Sequence, residues 1–212
     1  MKHPNALAFA SACLIATCAT AADLSVDLRT ADGRPVRDAV VTLYPQSGSW
    51  PVTTPRITGP FLMKQEGIQF HPFVLLAPVG ATVGFPNLDK VRHHVYSFSA
   101  AKRFELKLFG HEDTRTVVFD KPGVVALGCN IHDRMLAYID VIDTPYAAKS
   151  DDRGHVDLKG VPDAAVTVKV WHPFLKAVSQ SVSRPVSLKG ATHEVFALEL
   201  KDPPANMSGM AG

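Results

Sequence analysis

Cysteine is almost missing from this 212-residue chain: there are three, and two of them, Cys13 and Cys18, fall in one apolar N-terminal stretch. If that stretch is a leader that is cut away, Cys129 keeps no disulfide partner, which excludes a disulfide framework. An excess of charge of either sign is lacking too. Lys and Arg number 22 against 20 Asp and Glu, so nothing marks a nucleic-acid or anionic-membrane partner. Beyond the N-terminus no apolar run approaches the roughly 20 residues of a membrane helix, so no membrane span is expected. Nor is there any sustained helical period, which leaves an all-β chain.

The N-terminus reads differently. Met1-Lys2-His3 is weakly basic, an apolar run follows from Ala6 to Ala16, and Ala19-Thr20-Ala21 supplies small residues before Ala22-Asp23. That order predicts a secretory signal peptide over residues 1–21 and export to the periplasm. Ile15-Ala16-Thr17-Cys18 also has the look of a lipoprotein cleavage site, the lesser reading because Thr17 stands where a smaller residue is usual.

Valine-rich runs, separated by Gly, Pro and Asp turns, predict strands at 24–29, 39–44, 73–77, 82–86, 94–98, 103–107, 114–119, 124–128, 137–142, 166–171 and 194–200. Such strands bury themselves as antiparallel sheets in a sandwich or a small barrel. Two outer segments look alike. Asp32-Gly33-Arg34-Pro35-Val36 leads into Val40 to Pro45, and Asp151-Asp152-Arg153-Gly154 leads through Val161-Pro162 into Val166 to Val170. This pattern of a turn followed by a strand resembles the transthyretin-like or peptidase-regulatory β-sandwich module. The expected organisation is an N-terminal β segment at 22–58, a central unit at 59–142, a C-terminal sandwich-like segment at 143–201 and a disordered tail at 202–212. Whether the two flanks form one sheet is open.

Cys129 opens the run Cys129-Asn130-Ile131-His132-Asp133-Arg134-Met135, in which thiolate, imidazole and thioether recur at every third position. Copper cycling between Cu(I) and Cu(II) suits two imidazoles, one thiolate and a weak axial thioether. The run supplies three of these four. Val91-Arg92-His93-His94-Val95 offers the second imidazole 36 positions upstream, with His93 the expected ligand and His94 its competitor. Two bland readings compete: a buried structural thiol, and a zinc site, although zinc favours more thiolates or histidines and gains nothing from a methionine. His71, His111, His155, His172 and His193 are isolated and are expected to be solvated or hydrogen-bonded. Met63, Met207 and Met210 read as gap-fillers or passengers. Asp133 beside His132 is too little for a hydrolytic thiol–imidazole pair. Val124, Val125, Leu127 and Ile131 are expected to shield the thiolate from oxidants.

Phe85-Pro86-Asn87-Leu88-Asp89 followed by His93, then Phe119-Asp120-Lys121-Pro122-Gly123 followed by Gly128-Cys129, resembles the cupredoxin family. Its small electron-transfer members include plastocyanin, pseudoazurin and amicyanin. The short Cys129-x-x-His132-x-x-Met135 loop is most similar to the amicyanin version. The longer pattern through Asp143-Thr144-Pro145, with Trp171-His172-Pro173, resembles a group of exported cupredoxins known as methylamine utilisation proteins. The resemblance implies a Greek-key β-sandwich holding one type 1 copper ion. It gives His93 and His132 as imidazole ligands, Cys129 as thiolate and Met135 as axial thioether. In the family Asn87 would brace the cysteine loop, and asparagine is common where this chain has His94.

The expected function is therefore one-electron transfer by an exported mononuclear copper protein, not catalysis, serving a redox partner such as a cytochrome or an oxidoreductase; the family likeness alone implies a link to amine oxidation. A copper carrier or storage module without a redox role, and a β-sandwich binding or assembly module, are the competing expectations.

Overall fold

The computed structural model describes residues 21–51 and 56–202. The bulk of the expected signal segment, with Cys13 and Cys18, and nearly all of the expected tail, with Met207 and Met210, lie outside the described residues. Among the described residues no helix is long and apolar enough to cross a membrane.

The N-terminal flank gives β1 (Ala21–Thr30) and β2 (Val40–Pro45). The central stretch gives three two-residue strands, β3 (Phe61–Leu62), β4 (Lys64–Gln65) and β5 (Phe70–His71), and then β6 (Val74–Pro78) and β7 (Ala81–Pro86). It continues with β8 (His93–Phe98), β9 (Arg103–Phe109), β10 (Thr114–Phe119), β11 (Gly123–Cys129) and β12 (Leu136–Ile142). The C-terminal flank adds β13 (Ala147–Lys149), β14 (His155–Pro162), β15 (Ala165–Trp171), β16 (Ser181–Ser187) and β17 (Ala191–Leu198).

The two flanks are one sandwich. Its sheets run β14-β1-β17 and β13-β2-β15-β16, so each N-terminal strand sits between two C-terminal ones. Ala22, Leu24, Val26 and Leu28 alternate inward along β1 and meet Leu43 of β2, Val166 and Val168 of β15 and Phe196 of β17 in a single core. Neither flank can bury that face alone, because each sheet needs strands from both; the central unit is inserted between β2 and β13.

The central unit is a second sandwich. A five-stranded sheet, β6-β12-β11-β8-β9, faces a three-stranded sheet, β10-β7-β3, around a core that includes Phe85, Phe109, Phe119, Leu127 and Ile139. After the β8–β9 hairpin the chain crosses to β10, and β11 then returns to pair with β8, which is Greek-key connectivity. That return matters for function: it lays the end of β11 against the start of β8.

The outer face of β12 packs on the flanking sandwich, with the Tyr138 ring 5.7 Å from that of Trp171. Asp140 shares that face and is buried with it. Burial pushes its carboxyl up to about 6; Lys169 opposes the shift and Asp143 adds to it. An acid with a raised folded-state pKa costs stability where it is ionised in both states, above that pKa. Below it the folded state takes up the proton first, and the cost fades as pH falls toward the unfolded value. Asp140→Asn therefore stabilises the protein by about 1–3 kcal/mol at pH 7.5 and by almost nothing at pH 4. Thermal melts at the two pH values check this; an equal gain at both contradicts it.

Candidate metal centre

Period-two alternation decides which side chains enter the central core. Along β8 it sends His93, Val95 and Ser97 inward and His94, Tyr96 and Phe98 outward. Along β11 it sends Val125, Leu127 and Cys129 inward. Cys129 pairs with Val95 and Gly128 with Tyr96, so the inward sulfur and the inward imidazole meet at one end of the sheet. The Asn130 N–H donates to the His94 carbonyl at 3.0 Å and extends this pairing by one step. A β-carbon on Gly128 would stand 2.8 Å from the Tyr96 ring, so only glycine lets that ring lie across the strand leading to the cysteine.

The result is a three-residue cluster. Cys129 Sγ lies 3.8 Å from His93 Nδ1 and 3.6 Å from His132 Nδ1. All three donor atoms lie within 4.8 Å of one another, and the two imidazole rings are 5.0 Å apart. His93 is fully buried, Cys129 is 5% exposed, and His132 is half-buried at the surface. Metal–nitrogen bonds of about 2.1 Å and metal–sulfur bonds of about 2.3 Å put N and S about 3.6 Å apart at a tetrahedral angle and about 3.8 Å apart at a trigonal one. The observed separations match that span, so the residues present fit a single small ion.

Met135 is buried in the same apolar cluster as Cys129, and its N–H donates to the His132 carbonyl at 3.0 Å, closing the loop between β11 and β12. His94 stands apart. It lies on the opposite face of β8, with Nε2 2.7 Å from Glu105 Oε1. His94→Ala should therefore leave Cu(II) affinity unchanged. His93→Ala should lower it by more than the roughly 10–100-fold typical of a supporting residue, as measured by chelator competition. Equal losses in the two variants contradict this assignment.

Asn87 does a different job from the one expected of it. Its Nδ2 donates to the carbonyls of Val91 and Phe109, at 2.9 and 3.2 Å, and its Oδ1 accepts from the Asp89 N–H at 2.9 Å. It pins the loop that leads into His93, not the cysteine loop, because β7 ends beside that loop. The expected shield is also redistributed. Val125 and Leu127 pack with Cys129, but Ile131 is 48% exposed and Val124 turns toward the flanking sandwich. Phe85, Val95 and Phe109 belong to the apolar cluster in their place.

One residue of the site was not foreseen. Asp89 Oδ2 lies 2.9 Å from His93 Nε2, and the carboxylate also accepts from the N–H groups of Gly67 and Ile68, at 2.7 and 3.0 Å. Burial raises the Asp89 pKa, but the bonds from Ile68, His93 and Gly67 outweigh it and hold the carboxyl below its usual range. For His93, burial is the larger influence and lowers its pKa, while Asp89 opposes and His132 adds to the lowering. A neutral ring that donates its Nε2–H to Asp89 leaves the Nδ1 lone pair facing the sulfur, which is the tautomer a metal requires.

The fold and the cluster define an all-β protein with a buried His2Cys donor set at one end of a Greek-key sandwich. Among solved structures the chain is similar to several copper proteins. One is a Cu-containing nitrite reductase from Thermus scotoductus SA-01, with 29% identity over 42% of this chain and 25% of that one, at a TM-score of 0.38. Another is a purple cupredoxin from Nitrosopumilus maritimus, with 23% identity over 39% of this chain and 99% of that one, at a TM-score of 0.35. A third is a reduced amicyanin variant, with 20% identity over 44% of this chain and 97% of that one, at a TM-score of 0.36. The chain thus spans a quarter of the length of the nitrite reductase and nearly all of the two small proteins. No family model and no curated protein matches it.

Proposed function

We propose that this protein is an exported, periplasmic electron carrier that holds one copper ion with His93, Cys129, His132 and Met135. The observation that carries the proposal is the pair of imidazole Nδ1 atoms set 3.6 and 3.8 Å from the Cys129 sulfur. Bound copper would supply a one-electron couple. The chain's own contribution is to hold the donors still: His93 on a strand and fixed from behind by Asp89, Cys129 on the neighbouring strand, His132 and Met135 on a loop closed by a hydrogen bond. Donors that need not move between oxidation states keep the reorganisation cost of electron transfer low. Burial of Cys129 among apolar side chains keeps oxidants from the sulfur.

Half-buried His132 gives the cluster an edge at the surface. Ile131 next to it, and Leu88 and Val91 in the loop before His93, are exposed apolar side chains, which suits transient docking of a redox protein such as a cytochrome or an oxidoreductase. Neither nucleic acid nor catalysis enters this reading.

Cyclic voltammetry of the copper-loaded protein tests it against the carrier alternative. An electron carrier gives a reversible one-electron wave and keeps its copper through repeated cycles. A carrier or store of Cu(I) gives no stable wave and yields the metal to a competing chelator.

A further inference from the structure

Where the two sandwiches meet there is a cleft of about 390 Å³, partly open to solvent. Asp140 and Asp143 line it from the end of β12, Tyr44 from β2 and Lys169 from β15. The turn at Val178–Gln180 closes one side. Gly123, at the other end of β11 from Cys129, is also in the wall. Six residue steps along β11 separate Gly123 from Cys129, roughly 20 Å, so the cleft is not part of the metal cluster.

The charges in this cavity are unequally satisfied. Asp143 accepts a hydrogen bond from the Tyr44 hydroxyl at 2.8 Å. Asp140 is only 9% exposed and lines the cleft, and burial, with no hydrogen bond from a neighbouring group among the described residues, governs its carboxylate. Lys169 acts on Asp140 electrostatically but forms no ion pair with it among the described residues. A carboxylate largely withdrawn from water with no protein donor is costly, and half-buried Lys169 leaves an ammonium nearby without a protein partner among the described residues. Burial raises the Asp140 pKa to about 6, which is the same cost seen from the proton's side.

We propose that this cavity binds a small zwitterion of the α-amino acid class, its ammonium on Asp140 and its carboxylate on Lys169. A dipolar ligand answers both unpaired charges at once. A simple cation would leave Lys169 facing it, and a simple anion would meet two carboxylates. Position at a junction between two packed units is also where small-molecule sites concentrate. This inference goes beyond electron transfer and stands independently of the copper reading.

Isothermal titration calorimetry of the full chain at pH 7.5 tests it, with L-alanine as the zwitterion and ethylamine and propionate as its two halves. L-alanine is expected to bind, and each half at least about tenfold more weakly, since each lacks one charge-assisted contact. Asp140→Asn and Lys169→Met are each expected to weaken L-alanine by about tenfold or more, while Lys159→Met, on the outer surface, leaves it unchanged. Ethylamine binding as tightly as L-alanine would make this a plain cation site and overturn the proposal. Absence of binding by L-alanine, or binding indifferent to both cavity variants, overturns it as well. Should either variant fail to fold, the comparison of L-alanine with its halves on the unaltered chain still decides.

Discussion

With serine in place of Cys129, the protein folds but develops no intense visible absorption when Cu(II) is added. The band depends on charge transfer from thiolate to Cu(II), and Cys129 is the only cysteine among the described residues. Serine is nearly isosteric, and its hydroxyl would have two nitrogen partners where the sulfur had them, His93 Nδ1 and His132 Nδ1. The fold should therefore survive with a loss of about 1 kcal/mol, or little more, from a polar atom placed in an apolar cluster. Circular dichroism and a thermal melt check that the variant is folded before the spectrum is read. A band that persists in folded Cys129→Ser would remove the thiolate from the site.

Asp89→Asn is expected to give the next largest effect. The carboxylate accepts from three donors: His93 Nε2 and the N–H groups of Gly67 and Ile68. Gly67 and Ile68 both have positive φ, 65° and 58°, and for a β-branched residue such as Ile68 that backbone is strained. Asp89 is what answers the N–H groups this turn presents. An amide offers one acceptor oxygen where the carboxylate offered two, and it turns an NH2 group toward donors. His93 then loses its fixed tautomer, the turn at 67–68 loosens, and the imidazole becomes a weaker electron donor. Copper affinity should fall by about 10–100-fold, and the reduction potential should rise, because the oxidised ion depends more on donor strength. Chelator competition and voltammetry measure the two quantities. An unchanged affinity and potential would reduce Asp89 to a loop anchor.

Much of this site was legible in the sequence because chemistry and spacing coincide there. Cys129 and His132, two of the three clustered residues, stand three positions apart in one run, and the family resemblance pointed to His93. The choice between His93 and His94 was not legible from period alone. Both faces of β8 carry apolar side chains, Val95 on one and Tyr96 with Phe98 on the other, so alternation does not say which face is the core. Pairing with β11 decides it. Asp89 escaped notice because one acidic residue in a loop reads as solvated; its role arises only when residues 67 and 68 fold over it. Its position four residues before His93 was the available signal.

The fold divides in the same way. Each strand expected from a valine-rich run is present, but β16 was missed because Pro185 interrupts it, as an edge strand allows. β14 was missed although Val156 and Leu158 alternate with Asp157 and Lys159. The shared sandwich of the two flanks was beyond the sequence, since β1 pairs in parallel with β17 across more than 160 residues and nothing local encodes that partner. The burial of Asp140 is non-local for the same reason: Tyr44 and Lys169, which share its cleft, come from the flanking sandwich and are distant in the chain.

The most direct measurement is the absorption and electron paramagnetic resonance spectrum of the purified protein after one equivalent of Cu(II). The account predicts an intense visible thiolate-to-Cu(II) band and a mononuclear copper signal whose hyperfine splitting is narrowed by delocalisation onto the Cys129 sulfur. A pale solution with the wide splitting of copper held by nitrogen and oxygen alone would contradict it.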